Sequence, residues 1–145
     1  MTTKIKTIGV IGAGQMGNGI AHVSALAGYD ILLNDISPDR IQAGLATING
    51  NLARQITKKT ISEDDRKKAL GRIKPAEKIS DLSQCDLVIE SATEKEEVKR
   101  RIFAEVCQTL KPEALLASNT SLISITRLGS ATDRPERFIG IHFIN

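Results

Sequence analysis

Short apolar runs alternate with amphipathic stretches from the first residues of the chain onward. Ile5–Ile11 is rich in β-branched residues and predicts a buried parallel strand. Gln15–Ala27 has apolar residues at helical spacing and is followed by Gly28, a residue type that commonly ends a helix. The predicted apolar stripe of this helix consists of Met16, Ile20, Val23 and Ala27. Ile31–Leu33 then predicts a second buried strand, so that strand, helix and strand follow one another.

Two helices, not one, are predicted after the second strand. Ser37 is a favourable N-cap, and Pro38 suits the first helical position. Apolar residues then recur at nearly every fourth position from Ile41 to Ile56. A further helix is predicted to begin at Ser62, because the three acidic residues that follow it interact favourably with the helix dipole. The pair is longer than a crossover between neighbouring parallel strands requires.

The remaining sequence returns to simple alternation. Thr93 and Glu96 have the spacing of a capping box at the start of an amphipathic helix, which Pro112 ends. The other predicted elements are strands at Leu87–Ile89, Leu115–Ala117 and Phe138–Phe143 and a short helix at Ile123–Leu128. This order predicts an α/β fold, a Rossmann-like, doubly wound and mostly parallel sheet with a long helical pair inserted after the second strand. Right-handed crossovers would bring the carboxyl ends of the strands to one edge, where such sheets bind ligands.

Length and composition narrow the class of protein. Residues 1–145 fit one domain, and hydrophobic and charged fractions of 41% and 26% are those of a globular protein. No apolar run is long enough to span a bilayer, and the strand pattern from Ile5 leaves no room for a signal peptide. Cys85 and Cys107 have no metal-ligand spacing and are expected to be free thiols in the cytoplasm. A net charge of +3, with few aromatic residues, gives no indication of nucleic-acid binding.

A glycine-rich turn separates the first predicted strand from the first helix. Gly12, Gly14 and Gly17 match the pattern G-x-G-x-x-G in the strand-to-helix context that it requires. The first glycine permits a tight turn, the second lets the backbone approach a pyrophosphate, and the third lets the helix pack closely on the strand. Gln15 and Met16 begin the helix, whose unpaired N–H groups attract phosphate. Taken alone, the glycines could also shape a turn that binds nothing.

Asp35 favours the dinucleotide interpretation. It ends the second strand, 18 residues after Gly17. A carboxylate at this position accepts hydrogen bonds from ribose hydroxyls and repels a 2′-phosphate. The sequence therefore predicts a site for NAD rather than NADP. The alternative for Asp35 alone is a solvated acidic residue beside a helix start.

Two histidines and a polar segment are candidates for chemistry. His22 lies off the main apolar stripe of the first helix and is expected to be a surface or packing residue. His142 is near the carboxyl end of the last strand, where the nicotinamide should lie, and could take a hydroxyl proton during hydride transfer. A structural strand histidine fits that position equally well. Ser118–Ser121 reaches the same edge and could hold a substrate oxygen or a ribose, or only cap the next helix.

The helical pair and the residues after it are strongly basic. From Arg54 to Lys78 there are nine basic residues and four acidic ones. A run of this kind is usually a solvated helical surface. It could instead attract an anionic substrate, and coenzyme A with its several phosphates would suit it.

Together these segments resemble one enzyme family. Gly12–Gly17 and Asp35 are followed by Val-Ile-Glu-Ser-Ala-Thr-Glu at 88–94, Ala-Ser-Asn-Thr-Ser at 117–121 and Gly-Ile-His-Phe-Ile-Asn at 140–145. In this order and spacing they resemble the L-3-hydroxyacyl-CoA dehydrogenases, and the bacterial 3-hydroxybutyryl-CoA dehydrogenases in particular. The resemblance covers essentially the whole chain but only the family's N-terminal, NAD-binding domain. Other NAD enzymes share the glycine turn, whereas the last two segments are much more specific.

The resemblance implies an activity and a role for several residues. The family uses NAD to oxidise the 3-hydroxyl group of an acyl-CoA in fatty acid metabolism. His142 would be the general base, and Ser121 would hydrogen-bond the substrate oxygen close to the nicotinamide. Lys58, on the helical pair, would approach the phosphates of CoA. The other residues that would line the cofactor site are Glu94, Lys99 and Asn145.

Two differences from the family qualify this expectation. The family usually has a second serine after Ser121, where this chain has Leu122. The family's glutamate that orients the histidine, and its helical domain that closes the substrate site and forms the dimer, have no counterpart in residues 1–145. We therefore expect this chain to bind NAD but to turn over little substrate alone, since losing an orienting carboxylate costs several powers of ten in rate. The alternatives are a non-catalytic NAD-binding module and a β-hydroxyacid dehydrogenase that acts on a free acid.

Overall fold

One parallel sheet forms the centre of the structure. The computed structural model describes residues 4–120 and 122–143. Its strands are β1 (Thr7–Ile11), β2 (Asp30–Asn34), β3 (Ile73–Ala76), β4 (Leu87–Glu90), β5 (Leu115–Asn119) and β6 (Phe138–Ile141). The sheet has the order β3-β2-β1-β4-β5-β6, and each of these neighbouring pairs is parallel. The predicted Rossmann-like, doubly wound α/β fold is confirmed, and every described strand pairing is parallel.

Helices cover both faces of the sheet. They are α1 (Gln15–Leu26), α2 (Pro38–Thr57), α3 (Glu63–Arg72), α4 (Glu96–Thr109) and α5 (Ile125–Gly129), with short 3₁₀ helices at Ile79–Leu82 and Pro135–Arg137. The first three pack together on one face, and α4 and α5 pack on the other. The predicted helical pair after the second strand is confirmed as α2 and α3. Within residues 4–120 and 122–143, no helix is long and apolar enough to cross a membrane.

Each face of the sheet has its own hydrophobic core. On one face, Val10 and Leu33 of the central strands pack with Ile20 of α1. On the other, Phe103 of α4 packs edge-to-face on Phe138 of β6, with ring centroids 5.1 Å apart. Burial on both faces explains why the strands are almost continuously apolar. Because the described strands are all parallel, their carboxyl ends share one edge of the sheet.

Capping chemistry predicts two of the helix starts correctly and a third incorrectly. The hydroxyl of Ser37 accepts the N–H of Arg40 at the start of α2, and Ser62 forms a capping box at the start of α3. The predicted cap at Thr93 is wrong, because α4 begins at Glu96. The hydroxyl of Thr93 accepts the N–H of Lys95 and so stabilises a turn before the helix.

Three further details differ from the sequence-based expectation. The apolar pattern does not predict β3. Ser118 and Asn119 belong to β5 rather than to a loop, whereas β6 ends before His142.

On α1, Val23 is half-exposed instead of facing the core, and His22 is buried with Nε2 2.6 Å from Oε1 of Gln55 on α2. His22 is therefore a packing residue, because α1 is covered by α2 and α3 as well as by the sheet.

Candidate functional site

The glycine turn between β1 and α1 leaves open space beside the N-terminus of α1. Gly12 has a φ of +105°, and a Cβ on it would lie 2.7 Å from the carbonyl oxygen of Ser91. A Cβ on Gly17 would lie 1.6 Å from the carbonyl oxygen of Gly12, so only glycine lets α1 approach the turn. A Cβ on Gly14 would meet nothing within 4 Å. The fold itself thus requires Gly12 and Gly17, whereas Gly14 adjoins space where a phosphate can meet the N–H groups of α1.

Asp35 lies at the end of β2 and holds the glycine turn. Its Oδ2 accepts the N–H of Ala13 at 2.7 Å, and its Oδ1 accepts the N–H of Ile36 at 2.6 Å. An ionised carboxylate has about four acceptor positions, so positions remain on Asp35 for two hydroxyl groups. The same side chain can therefore position the turn and bind a ribose.

A cleft of about 500 Å³ opens at this edge of the sheet. Its lining includes Ile11 of the central strand β1, Asp35 and Ile36 after β2, and Ala92 and Ile102 between β4 and β5. Ile36 is 85% exposed, so an aliphatic surface is available at the mouth of the cleft. The cleft is also lined by the charged residues Glu77, Lys78 and Glu105. Its aliphatic side chains next to the Asp35 carboxylate suit the adenosine half of a dinucleotide, whose base is flat and apolar on its faces and whose ribose donates hydrogen bonds.

The loops after β4 and β5 are joined by hydrogen bonds. On the outside, Oε2 of Glu94 accepts the hydroxyl of Thr120 at 2.7 Å. Beneath them, Oε1 of Glu90 accepts both the Lys99 ammonium at 2.5 Å and the Ser118 hydroxyl at 2.8 Å. Glu94 therefore lies at the predicted edge of the sheet, with its carboxylate joined to the end of β5.

The position of Lys99 requires a correction. The resemblance implied that this side chain lines the cofactor site, but it is 0% exposed and ion-paired with Glu90. Its ammonium lies beneath the edge of the sheet rather than in the cleft. The sequence gives no indication that Lys99, the fourth residue of α4, is buried, because its partner Glu90 lies on β4.

His142 lies at the same edge of the sheet but apart from the cleft. It is exposed and follows β6, three strands from β1, or roughly 14 Å at the usual strand spacing. Asn119 holds the backbone there, because its Oδ1 accepts the N–H of Phe143 at 3.1 Å. Asn119 is paired with Ile141 in the sheet, so its side chain continues the hydrogen bonding where the strand stops. A ligand that joins the cleft to His142 must extend along the edge.

The other predicted site residues have different environments. Ser121 and Asn145 lie outside the described residues. Gln15 is exposed and Met16 half-buried at the start of α1. Leu122, which replaces the serine usual in the family, is 79% exposed.

The basic segment is only partly available to a ligand. Arg66 is bound to Glu63 and Asn49, and Arg72 donates to the carbonyl oxygen of Ala25 at the end of α1. Lys58 is exposed but terminates α2, roughly 20 Å along the helix from Gly44, where α2 touches the glycine turn. The structure therefore does not bring Lys58 to the cleft.

Shifted pKa values occur at the opposite edge of the sheet. The hydrogen bond from Lys111 lowers the pKa of Asp86 to about 2, and burial raises the pKa of the Cys85 thiol to about 12. Asp86 also accepts the N–H groups of Lys6 and Thr7 at the start of β1. These residues precede β4 and serve the fold rather than the cleft. Among the described residues, no group of three or more His, Cys, Asp or Glu side chains could hold a metal ion.

Comparison with known proteins identifies the family. The family described as "3-hydroxyacyl-CoA dehydrogenase, NAD binding domain" matches residues 7–145. The chain belongs to this family. NAD is accordingly the cofactor of the domain, and the open Gly14, the free acceptor positions of Asp35 and the aliphatic cleft fit that cofactor.

Relatives and solved structures agree with the assignment. The chain is 69% identical to a 3-hydroxybutyryl-CoA dehydrogenase of Bradyrhizobium diazoefficiens over 145 residues, which are all of this chain and 50% of that protein. It is 39% identical to a 3-hydroxyadipyl-CoA dehydrogenase of Escherichia coli, over 100% of this chain and 30% of the relative. A crystal structure of (S)-3-hydroxybutyryl-CoA dehydrogenase from Ralstonia eutropha superposes with a TM-score of 0.95 at 44% identity, covering 98% of this chain and 50% of that one. The chain thus spans about half the length of the 3-hydroxybutyryl-CoA dehydrogenase of Bradyrhizobium diazoefficiens and less than a third of that of the Escherichia coli relative.

Proposed function

We propose that this chain is the cofactor-binding part of an NAD-dependent L-3-hydroxyacyl-CoA dehydrogenase. The reaction would oxidise the 3-hydroxyl group of the acyl-CoA to a ketone. The observation that carries the proposal is the combination, at one sheet edge, of a dinucleotide cleft with an exposed histidine after β6. The names of the relatives, which are 3-hydroxybutyryl-CoA and 3-hydroxyadipyl-CoA dehydrogenases, supply the substrate class.

The cofactor-site residues have separate roles in this proposal. The backbone of Gly12, Gly14 and Gly17 would hold the pyrophosphate at the start of α1, together with Gln15 and Met16. Asp35 would accept the adenosine ribose hydroxyls. Glu94 and Asn145 would lie at the nicotinamide half, and Lys99 would act there only from beneath, through Glu90.

The proposed chemistry divides between the cofactor and His142. NAD, when bound, supplies the acceptor for the hydride that leaves C3 of the substrate. His142 would take the proton of the 3-hydroxyl group, a role that a histidine can perform near neutral pH. Ser121 would hydrogen-bond the same substrate oxygen. The bond from Phe143 N–H to Asn119 supports the proposal, since it limits the positions that the preceding histidine can adopt.

The substrate and partner assignments extend beyond these residues. Lys58 would meet a phosphate of CoA at the far end of α2, away from the reacting group. We propose that a further helical domain closes the substrate site and forms a homodimer, and that the protein is cytoplasmic. Activity of residues 1–145 alone is expected to be very low without that domain, because the domain would exclude water from the site.

His142→Gln in the full-length protein tests the catalytic proposal. We expect kcat to fall by about 10²–10⁴, the usual contribution of a general base, while the Kd for NAD changes less than about twofold. His22→Gln is the matched control and should leave kcat unchanged, because His22 is a packing residue on α1. An equal loss of turnover and NAD affinity in His142→Gln would identify His142 as structural.

Comparing CoA esters with free 3-hydroxy acids tests the substrate class, since a free-acid enzyme would show no dependence on the CoA group.

A further inference from the structure

Glu90 is a buried charge that takes no direct part in the proposed chemistry. Its carboxylate is 0% exposed at the end of β4 and has three donors around it. Oε1 accepts the ammonium of Lys99 and the hydroxyl of Ser118, at 2.5 Å and 2.8 Å. Oε2 accepts the N–H of Ala92 at 2.8 Å. One carboxylate thus connects β4, α4, β5 and the turn that follows β4.

The turn held by Glu90 is the one on which the glycine turn rests. A Cβ on Gly12 would lie 2.7 Å from the carbonyl oxygen of Ser91 and 2.8 Å from Cα of Ala92. Ala92 also lines the cleft that Asp35 lines. A displacement of Ala92 would therefore change the cleft and remove the surface against which Gly12 packs.

The stability of the fold does not account for this arrangement. Replacing a buried ion pair by apolar side chains of similar volume is often neutral or stabilising. A fully apolar core at this position would lack any group to hold the N–H of Ala92, which lies at the wall of the cleft. The hydrogen bond to Ala92 is the property that an apolar replacement cannot reproduce.

We infer that Glu90 is a positioning residue for the dinucleotide, which fixes the Ser91–Ala92 turn against the glycine turn and is paired in the core with Lys99. The inference rests on the proposed function, since it deepens the account of the same cofactor site. The hydroxyl of Ser118 donates to the same carboxylate and so connects Glu90 to β5, two residues before Thr120. Glu90 itself does not touch the cleft, so its effect is transmitted through Ala92.

Two double variants of equal charge separate positioning from packing. In E90Q/K99M the amide oxygen can still accept the N–H of Ala92, and the amide nitrogen can donate to Ser118. In E90M/K99M the core is apolar and Ala92 has no acceptor. Both variants remove the ion pair and have similar volumes, and E90M/K99M should be the less stable in urea because the N–H of Ala92 has no acceptor there. Binding is therefore compared in the absence of urea, where both variants should be folded. They differ in the bond to Ala92, which the inference concerns, and in the bond to Ser118, which lies outside the cleft.

The test is the Kd for NAD, measured by calorimetric titration of residues 1–145. We expect E90Q/K99M to bind within about threefold of the unaltered chain and E90M/K99M to bind about tenfold more weakly, which is a loss of about 1.4 kcal/mol. Amide exchange at Ala92 should be slow in the first variant and fast in the second. Equal affinities in the two folded variants would overturn the inference.

A second comparison serves if E90M/K99M does not fold. In E90Q alone, Nζ of Lys99 remains a donor and pairs with the amide oxygen, so the amide nitrogen faces the N–H of Ala92. E90Q should therefore bind NAD about tenfold more weakly than E90Q/K99M, and equal binding contradicts the inference. Failure of the unaltered chain to bind NAD would contradict the cofactor assignment itself, whereas the same binding in all variants contradicts only the role of Glu90.

Discussion

Asp35→Ala should weaken NAD binding and remove the preference for NAD over NADP. The carboxylate keeps acceptor positions for ribose hydroxyls in addition to its bonds with Ala13 and Ile36. A hydrogen bond to a charged group contributes about 1.5–3 kcal/mol, so losing one weakens NAD binding by roughly 10- to 100-fold. A 2′-phosphate about 5 Å from the carboxylate is repelled by roughly 3 kcal/mol per unit charge at an effective dielectric constant of about 20.

The two effects of the substitution can be separated by titrating both cofactors. Loss of the bond to Ala13 loosens the glycine turn and weakens NAD and NADP equally. Loss of the negative charge weakens the binding of NAD and strengthens the binding of NADP. The ratio of the two Kd values therefore isolates the effect of the charge. We expect the unaltered chain to favour NAD by about 100-fold or more and Asp35→Ala to favour neither by more than about threefold at constant ionic strength.

Asp39→Ala is the control for charge alone. Asp39 is exposed in the first turn of α2, four residues beyond Asp35, and does not line the cleft. Its removal changes the net charge by the same amount and should leave the ratio nearly unchanged. The reasoning is refuted if the unaltered chain binds NADP as tightly as NAD. It is also refuted if Asp35→Ala weakens both cofactors equally, because Asp35 would then act only through the glycine turn.

Two stability predictions concern the turn and the opposite edge of the sheet. Gly17→Ala should destabilise the fold by about 3 kcal/mol or more and abolish NAD binding, since its Cβ would meet the carbonyl oxygen of Gly12. The control in urea unfolding is Gly19→Ala, whose Cβ would meet nothing within 4 Å. Normal NAD binding by Gly17→Ala would contradict the prediction. Asp86 has a folded-state pKa of about 2, so the stability it contributes is fully present above its unfolded pKa near 3.8 and is lost as pH falls through about 2. That shift corresponds to about 2 kcal/mol at most, and Asp86→Asn should flatten the dependence of the free energy of unfolding on pH between about 4 and 2 by about 1–2 kcal/mol. An unchanged slope would show that the ion pair with Lys111 contributes little.

Local chemistry explains why much of the fold could be predicted from the sequence. The glycine turn and the caps at Ser37 and Ser62 depend on residues within a few positions of one another, and each has a specific backbone requirement. β3 does not have such a signature. It is an edge strand that contains Pro75, and its conformation depends on pairing with β2.

The residues of the candidate site could be predicted only where they form the glycine turn or directly follow a strand. Asp35 and His142 come directly after strands, so the topology alone places them at the carboxyl edge. Glu90 and Lys99 were not distinguishable from surface charges, because the donors of Glu90 lie as far away as 28 residues along the chain. Val23 was misplaced for a related reason, since the buried side of α1 is determined by α2 and α3 as well as by the sheet.

The position of β1 has a consequence for how the chain folds as it is synthesised. β1 is near the N-terminus but lies between β2 and β4, and Ile8 pairs with Leu87, 79 residues later. At synthesis rates of about 5–20 residues per second, one side of this apolar strand remains without its partner for roughly 4 to 16 seconds. Sheet growth also requires closing a long loop at every step, because every pairing is parallel and none is a hairpin. The nascent chain therefore presents an unpaired strand edge, the kind of surface that chaperones protect, until β4 has emerged.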